Sequence, residues 1–283
     1  MSKENNLEGI KKLREITGVG FKDCKAALDE NNGDIEKSIE YLRKKGIAKA
    51  SKKMSRTAAE GLALIYEKDD MITALEINSE TDFVAKNKDF INFCKEVSEI
   101  NFSNKGDIKK LKLSKMKNNK TVDEALINLI SKIGEKITLR RSKYFSKQGK
   151  NYKYVHNALE NNVGKVISVV KLEGSDNDNL DEIGKKIAMH IAASAPIAID
   201  KNDLSKEIID KELEIIKEEL KNSGKKIDMI DKISQGKINK FISDNTLLNQ
   251  IWIMDPKKKV KDILTKDTKI LDFVRFKVGE GIE

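Results

Sequence analysis

The sequence predicts an α+β fold: a small three-helix module, then two related α+β subdomains with small antiparallel sheets, the second interrupted by an antiparallel coiled-coil hairpin. Three observations lead there. Apolar residues recur at helical spacing in three short runs before residue 46. A pattern of alternating apolar residues followed by an amphipathic helix occurs twice, once after Gly61 and again after Gly164. Between Ser205 and Asn245 a narrow apolar stripe runs through a highly charged background. Such two- and three-to-four-residue periodicities mark half-buried strands and helices respectively.

In the first module Leu7, Ile10, Leu13 and Ile16 share one helical face, ending at Thr17-Gly18-Val19-Gly20. Cys24, Ala27 and Leu28 mark a second helix that stops at Asn32-Gly33, and Asp34 stands where an N-cap is wanted for a third, with Ile35, Ile39 and Leu42 inward. The expected organisation is a docking module over 1–46, a basic, weakly patterned linker over 47–57, an N-terminal core subdomain over 58–148 and a C-terminal one over 149–283. In the first subdomain Met71, Thr73, Leu75 and Ile77 alternate before Phe90, Phe93, Cys94 and Val97 take helical spacing. In the second, Val166, Ser168, Val170 and Leu172 alternate before Leu180, Ile183, Ile187 and Ile191. Each then has a later helix running into a basic strand, "ALINLISKIGEKITLRRSKYF" and "VKDILTKDTKILDFVRFKVG". The insertion, about 205–245, carries Ile209, Leu213, Ile216 and Leu220 and, after "NSGKK", Ile230, Ile233, Ile238 and Phe241, the stripe of a two-helix coiled coil.

Composition argues against one compact enzyme. The 283 residues are 36% charged and 5% aromatic, with a formal charge of +9. That balance suits an acidic partner, protein or nucleic acid, although heavy use of lysine, isoleucine and asparagine throughout weakens it as a functional signal. Cys24 and Cys94 stand far apart without metal-ligand spacing, so no disulfide framework is expected. The opening "MSKENNLEGIKKLREI" mixes acids with lysines and has no signal-like apolar run, and no stretch approaches the roughly 20 apolar residues of a membrane helix. A cytoplasmic protein with no membrane contact is expected.

Catalytic signatures are missing from the chain: it contains no HExxH, no paired metal ligands and no Gly-x-Ser-x-Gly. "GVGFKD" follows a helix rather than a strand and reads as a helix-helix turn. His190 lies on an apolar helical face and reads as a core histidine; His156 is less constrained by its neighbours. No catalytic residue, cofactor or metal site is expected. Arg140, Arg141, Lys143 and Lys147, close to Tyr144 and Phe145, form a basic strand that keeps a second reading open, an RNA-binding translation accessory protein.

Two longer segments, "LREITGVGFKDCKAAL" and "EINSETDFVAKN", resemble the signature segments of the elongation factor Ts family. "NGDIEKSIEYLRKKG", "SKIGEKITLRR", "IAMHIAASAP" and "RFKVGEGIE" resemble that family in the same order along the chain. The resemblance implies an N-terminal module of the ubiquitin-associated type and a guanine nucleotide exchange factor that binds elongation factor Tu. It implies that Thr81, Asp82, Phe83 and Val84 contact the partner and displace its Mg²⁺, and that Ile133 and His156 make secondary contacts. Residues of "GVGFKDCKAAL", including Val19, Phe21 and Lys22, are implied to dock the N-terminal module. No direct nucleic acid contact is implied. A homodimer and a dimer of heterodimers stand as the alternatives to a one-to-one complex.

Periodicity gives Phe83 a competing role. Phe83, Phe90 and Val97 are spaced by sevens, which suits a first core residue of its own helix, with Thr81 as N-cap and Asp82 at the positive end of the helix dipole. The two readings differ in one observable. A ring buried at home is inaccessible, whereas one meant for a partner is exposed in the free protein.

Overall fold

The computed structural model describes residues 3–17, 19–174, 178–224 and 226–283; Gly18 of the expected interhelical turn and Lys225 of the expected hairpin turn lie outside them. Helices α1 (Lys3–Thr17), α2 (Phe21–Glu30) and α3 (Ile35–Lys53) close on Ile10, Leu13, Cys24, Ala27, Leu28 and Leu42. The Asp34 side chain accepts the Lys37 N–H at 3.0 Å and so caps α3. Asn32 and Gly33 take positive φ where the chain reverses after α2.

The segment expected as a linker, 47–57, is instead helical as far as Lys53. Its small residues explain why. A Cβ at Gly46 lies only in ordinary contact with Ser131 at 3.6 Å, and Ala50 is buried in the core of the next subdomain. Alanine and lysine are also good helix formers. One side of the basic run thus packs while its lysines remain outside, a face too narrow to stand out in the sequence.

Strands β1 (Glu60–Lys68) and β2 (Met71–Ser79) form a hairpin, extended by β3 (Ile137–Phe145) on one side and the two-residue β5 (Val163–Gly164) on the other, in the order β3-β2-β1-β5. β4 (Lys150–His156), β6 (Val166–Glu173) and β7 (Lys269–Lys277) form a second sheet in the order β4-β6-β7. All these pairings are antiparallel. The outer face of the first sheet carries α4 (Asp82–Ala85), α5 (Lys88–Ser103), α6 (Ile108–Leu113) and α7 (Val122–Ile133) over Leu62, Leu64, Leu75 and Ile77. The outer face of the second carries α8 (Asp178–Ser194) and α11 (Val260–Ile263) over Tyr152, Val170 and Leu172.

The two inner faces pack on each other. Ala63, Ile65, Ile72, Ala74 and Phe145 from the first sheet meet Ile167, Val169, Val274 and Phe276 from the second in a third core. Between α8 and β7 the chain makes short 3₁₀ turns at Lys201–Asp203 and Leu247–Asn249 and the helical pair α9 (Lys206–Asn222) and α10 (Ile227–Asn245). The pair has its own core of Ile216, Leu220, Ile230, Ile238 and Ile242, with Ile209, Leu213, Ile233 and Phe241 at its margins.

Candidate partner-binding site

β2 delivers the chain to a sharp turn. Ser79 is buried and its hydroxyl donates to the Thr81 carbonyl at 3.0 Å. α4 then makes a single turn, with the Lys86 N–H on the Phe83 carbonyl at 3.2 Å and the Asn87 N–H on that of Val84 at 2.9 Å. Asn87 starts a new helix, its side chain accepting the Asp89 N–H at 2.9 Å and the Phe90 N–H at 3.3 Å. This break takes Phe83 out of the helix that buries Phe90 and Val97. Val84 and Ala85 point into the core, at 6% and 2% exposure, while Phe83 is 79% exposed, more than any other large apolar side chain among the described residues.

Thr81 occupies the N-cap position, but its hydroxyl makes no cap bond. It donates instead to Glu135 Oε1 at 2.7 Å, while the Thr81 N–H donates to Glu135 Oε2 at 3.0 Å. The reverse connection is also made: the Lys136 N–H donates to Glu80 Oε1 at 2.6 Å, and Arg56 pairs with Glu80 at 3.2 Å. Lys136 Nζ donates to the Arg56 carbonyl at 2.7 Å, and Lys53 reaches the Gly134 carbonyl. Asp82 pairs with Lys86 at 2.8 Å; this bond, with a further contribution from the charge of Lys165, holds the Asp82 carboxyl below the usual carboxylate range.

Ile133 ends α7, packs half-buried on the first core, and precedes Gly134, whose left-handed φ of 89° turns the chain into Glu135. Two residues beyond Ile133, Glu135 is the residue bonded to Thr81, which links the end of α7 to the Thr81–Val84 turn. His156 is the exposed last residue of β4, with Nδ1 3.2 Å from the Tyr154 hydroxyl, and it pairs with Val166 beside Lys165. Val19 is half-buried against the three-helix core and accepts the Cys24 thiol at 3.4 Å. Phe21, 47% exposed, opens α2 beside the exposed Lys22. No hydrogen bond, ion pair or ring contact among the described residues joins His156, Val19, Phe21 or Lys22 to the Thr81–Val84 turn.

The basic strand turns out to be internally paired. A bulge in β3 opposite Glu76 and Ile77 lets successive arginines face one acid. Arg140 and Arg141 bind the fully buried Glu76 at 2.9 and 2.6 Å, and Lys143 binds Asp272 at 2.6 Å. His190 is buried, hydrogen-bonded to Gln250 at 2.9 Å and stacked on Trp252 with ring centroids 5.2 Å apart. Burial lowers its pKa. Among the described residues no group of three or more His, Cys, Asp or Glu is placed to hold a metal ion, and no helix is long and apolar enough to cross a membrane.

Sequence reading missed Glu135, Glu80 and Arg56. The available signal was that "SETD" and "GEK" both fall at the same end of the first sheet once β2 and β3 are paired, Ser79 lying opposite Ile137.

The family model described as Elongation factor TS matches residues 80–280. Proteins named elongation factor Ts are similar over nearly the whole chain. That of Maricaulis maris is 38% identical, that of Nitrobacter hamburgensis 41% and that of Xanthobacter autotrophicus 42%, each match covering 97% of this chain and 92% of the relative.

Proposed function

The chain belongs to the elongation factor Ts family, and from that premise we propose that this translation elongation factor binds elongation factor Tu in the cytoplasm and promotes exchange of its GDP for GTP. The exposure of Phe83, on a turn whose next two side chains are buried, carries the proposal. A single exposed apolar side chain is ordinary on a protein surface. What favours a partner contact here is that the most exposed large apolar side chain among the described residues lies in the Thr81–Val84 segment that the family resemblance implies as the contact, where burial in its own core was the competing reading.

The reaction breaks no covalent bond of the nucleotide. GDP is held mainly by charge, through Mg²⁺ and backbone N–H groups around its phosphates, so disturbing the metal weakens the whole site. The factor binds the nucleotide-free partner better than the nucleotide-bound one, and by linkage nucleotide expels the factor to the same degree. Coupling of about 3 kcal/mol changes affinity on the order of 150-fold. Burying the Phe83 side chain in the partner supplies roughly 1.5 to 3 kcal/mol of this.

In this reading Phe83 is the wedge, Asp82 brings negative charge near the Mg²⁺ site, and Thr81 and Val84 hold the turn. Ile133 and His156 add secondary contacts that press on the partner from another side, and Val19, Phe21 and Lys22 dock the N-terminal module. Pairing of Arg140, Arg141 and Lys143 with acids of their own protein argues against an RNA-binding role for β3.

Elongation factor Tu loaded with fluorescent GDP tests the proposal. Substoichiometric amounts of this protein are expected to accelerate release into excess unlabelled GDP, and excess GDP is expected to dissociate the complex of the two proteins. Release at the unassisted rate would contradict the proposed exchange activity.

A further inference from the structure

The turn that carries Phe83 has little holding it within itself. α4 is four residues long, far below the length at which a helix is stable alone. Nor does the exposed ring steady it, so the direction of Phe83 is inherited from the backbone. That backbone is fixed on one side by the burial of Val84 and Ala85. Ser79, through the Thr81 carbonyl, and the exposed Asp82–Lys86 pair add bonds local to the turn. A second anchor, at its entry, joins it to another loop.

The second anchor is reciprocal. The Glu135 carboxylate takes both the N–H and the hydroxyl of Thr81, at 3.0 and 2.7 Å, and the Glu80 carboxylate takes the Lys136 N–H at 2.6 Å. Each loop therefore donates a backbone N–H to a glutamate of the other. Arg56, just beyond α3, binds Glu80 and gives its carbonyl to Lys136, and Lys53 of α3 binds the Gly134 carbonyl, so both loops are tied to the end of that helix. Hydrogen bonds to carboxylates are stronger than those between neutral groups.

We propose that Glu135 and Glu80 form a clamp holding the Thr81–Ala85 turn in the conformation that presents Phe83, with Glu135 as a positioning residue for nucleotide exchange. This rests on the reading of that turn as the element that acts on the partner's nucleotide site. The kinetic consequence is specific. If other surfaces hold the partner, a loosened turn is competent for only a fraction of the time, and the maximal rate within the complex falls by that fraction while the half-saturating concentration stays nearly constant.

Stopped-flow release of fluorescent GDP from elongation factor Tu, titrated with wild type, Glu135→Ala and Glu135→Gln, tests this. Glu135→Ala should lower the maximal rate on the order of tenfold, as expected for losing hydrogen bonds to a charged group, with half-saturation changed less than about twofold. Glu135→Gln should restore most of the rate, because its amide oxygen accepts the Thr81 N–H and its NH₂ donates to the hydroxyl, which both donates and accepts. In the free protein, amide hydrogen exchange across residues 81–86 should rise in Glu135→Ala and stay near wild type in Glu135→Gln. A wild-type maximal rate in Glu135→Ala, a loss confined to half-saturation, or Glu135→Gln as slow as Glu135→Ala would each overturn the clamp. If wild type itself fails to accelerate release, the exchange reading falls, and amide exchange in the free protein still decides whether the clamp holds the turn.

Discussion

Phe83 and Phe90 lie seven residues apart and have opposite fates, one 79% exposed and the other fully buried. Their spacing alone would place both in one core, so periodicity misleads here. What separates them is Asn87, whose side chain begins α5 and ends the phase set by α4. An Asn followed by Lys-Asp-Phe is a helix start that the sequence reading passed over in favour of Thr81 as the cap. The exposure of Phe83 was not legible either, because it depends on Val84 and Ala85 taking the inward places. Unequal stability effects follow. Phe90→Ala should cost about 3 to 5 kcal/mol, whereas Phe83→Ala should change unfolding by no more than about 0.5 kcal/mol. Urea unfolding midpoints of the two variants check this, and comparable losses would make Phe83 a core residue after all.

Elements were legible where their partners are close in sequence. The stripe from Ile209 to Phe241 pairs two helices joined by a short turn, and the structure places those residues in one core. Because that core is separate from the other four, Leu220→Ala should cost about 2 to 5 kcal/mol locally. Hydrogen exchange should then quicken across 206–245 while α5 and β2 keep their protection; uniform loosening of the whole chain would show the hairpin to be part of a larger cooperative unit. Strand β3 was read less well. Its arginines looked like a basic surface because Glu76, the acid they bind, is more than 60 residues earlier, and only the β-bulge brings both to it. The helical continuation of α3 was hidden for a similar reason, its packing surface being supplied by α7.

On the scale of the whole molecule, the repeated strand-helix pattern indicated two related halves but not that their sheets stack. β1 and β2 are buried on both faces, and alternation along a strand reports only a difference between faces. Glu76 belongs to this level, since it joins β2 to β3 and to the C-terminal segment through the Gly279 N–H at 2.9 Å. Burial pushes its pKa up, but the Gly279 N–H, Asn78, Arg140 and Arg141 outweigh burial and leave it lowered. A carboxyl with a folded pKa below its unfolded value, about 4.3 for Glu, contributes stability fully present above that pH and lost as pH falls through the folded value. Urea midpoints should therefore fall below pH 4.3, and less steeply in Glu76→Gln than in wild type. Gly279 itself, at φ 78°, has the Ala59 carbonyl oxygen 2.0 Å from where a Cβ would stand, so Gly279→Ala should cost more than about 1 kcal/mol.

The central claim is that Phe83 is held out of its own core in order to enter the partner's. The most direct measurement is the rate of fluorescent GDP release from elongation factor Tu at saturating concentrations of wild type and of Phe83→Ala. The account predicts that the variant is slower by about tenfold or more while unfolding at the wild-type urea midpoint. A Phe83→Ala protein that accelerates release as well as wild type does would contradict it.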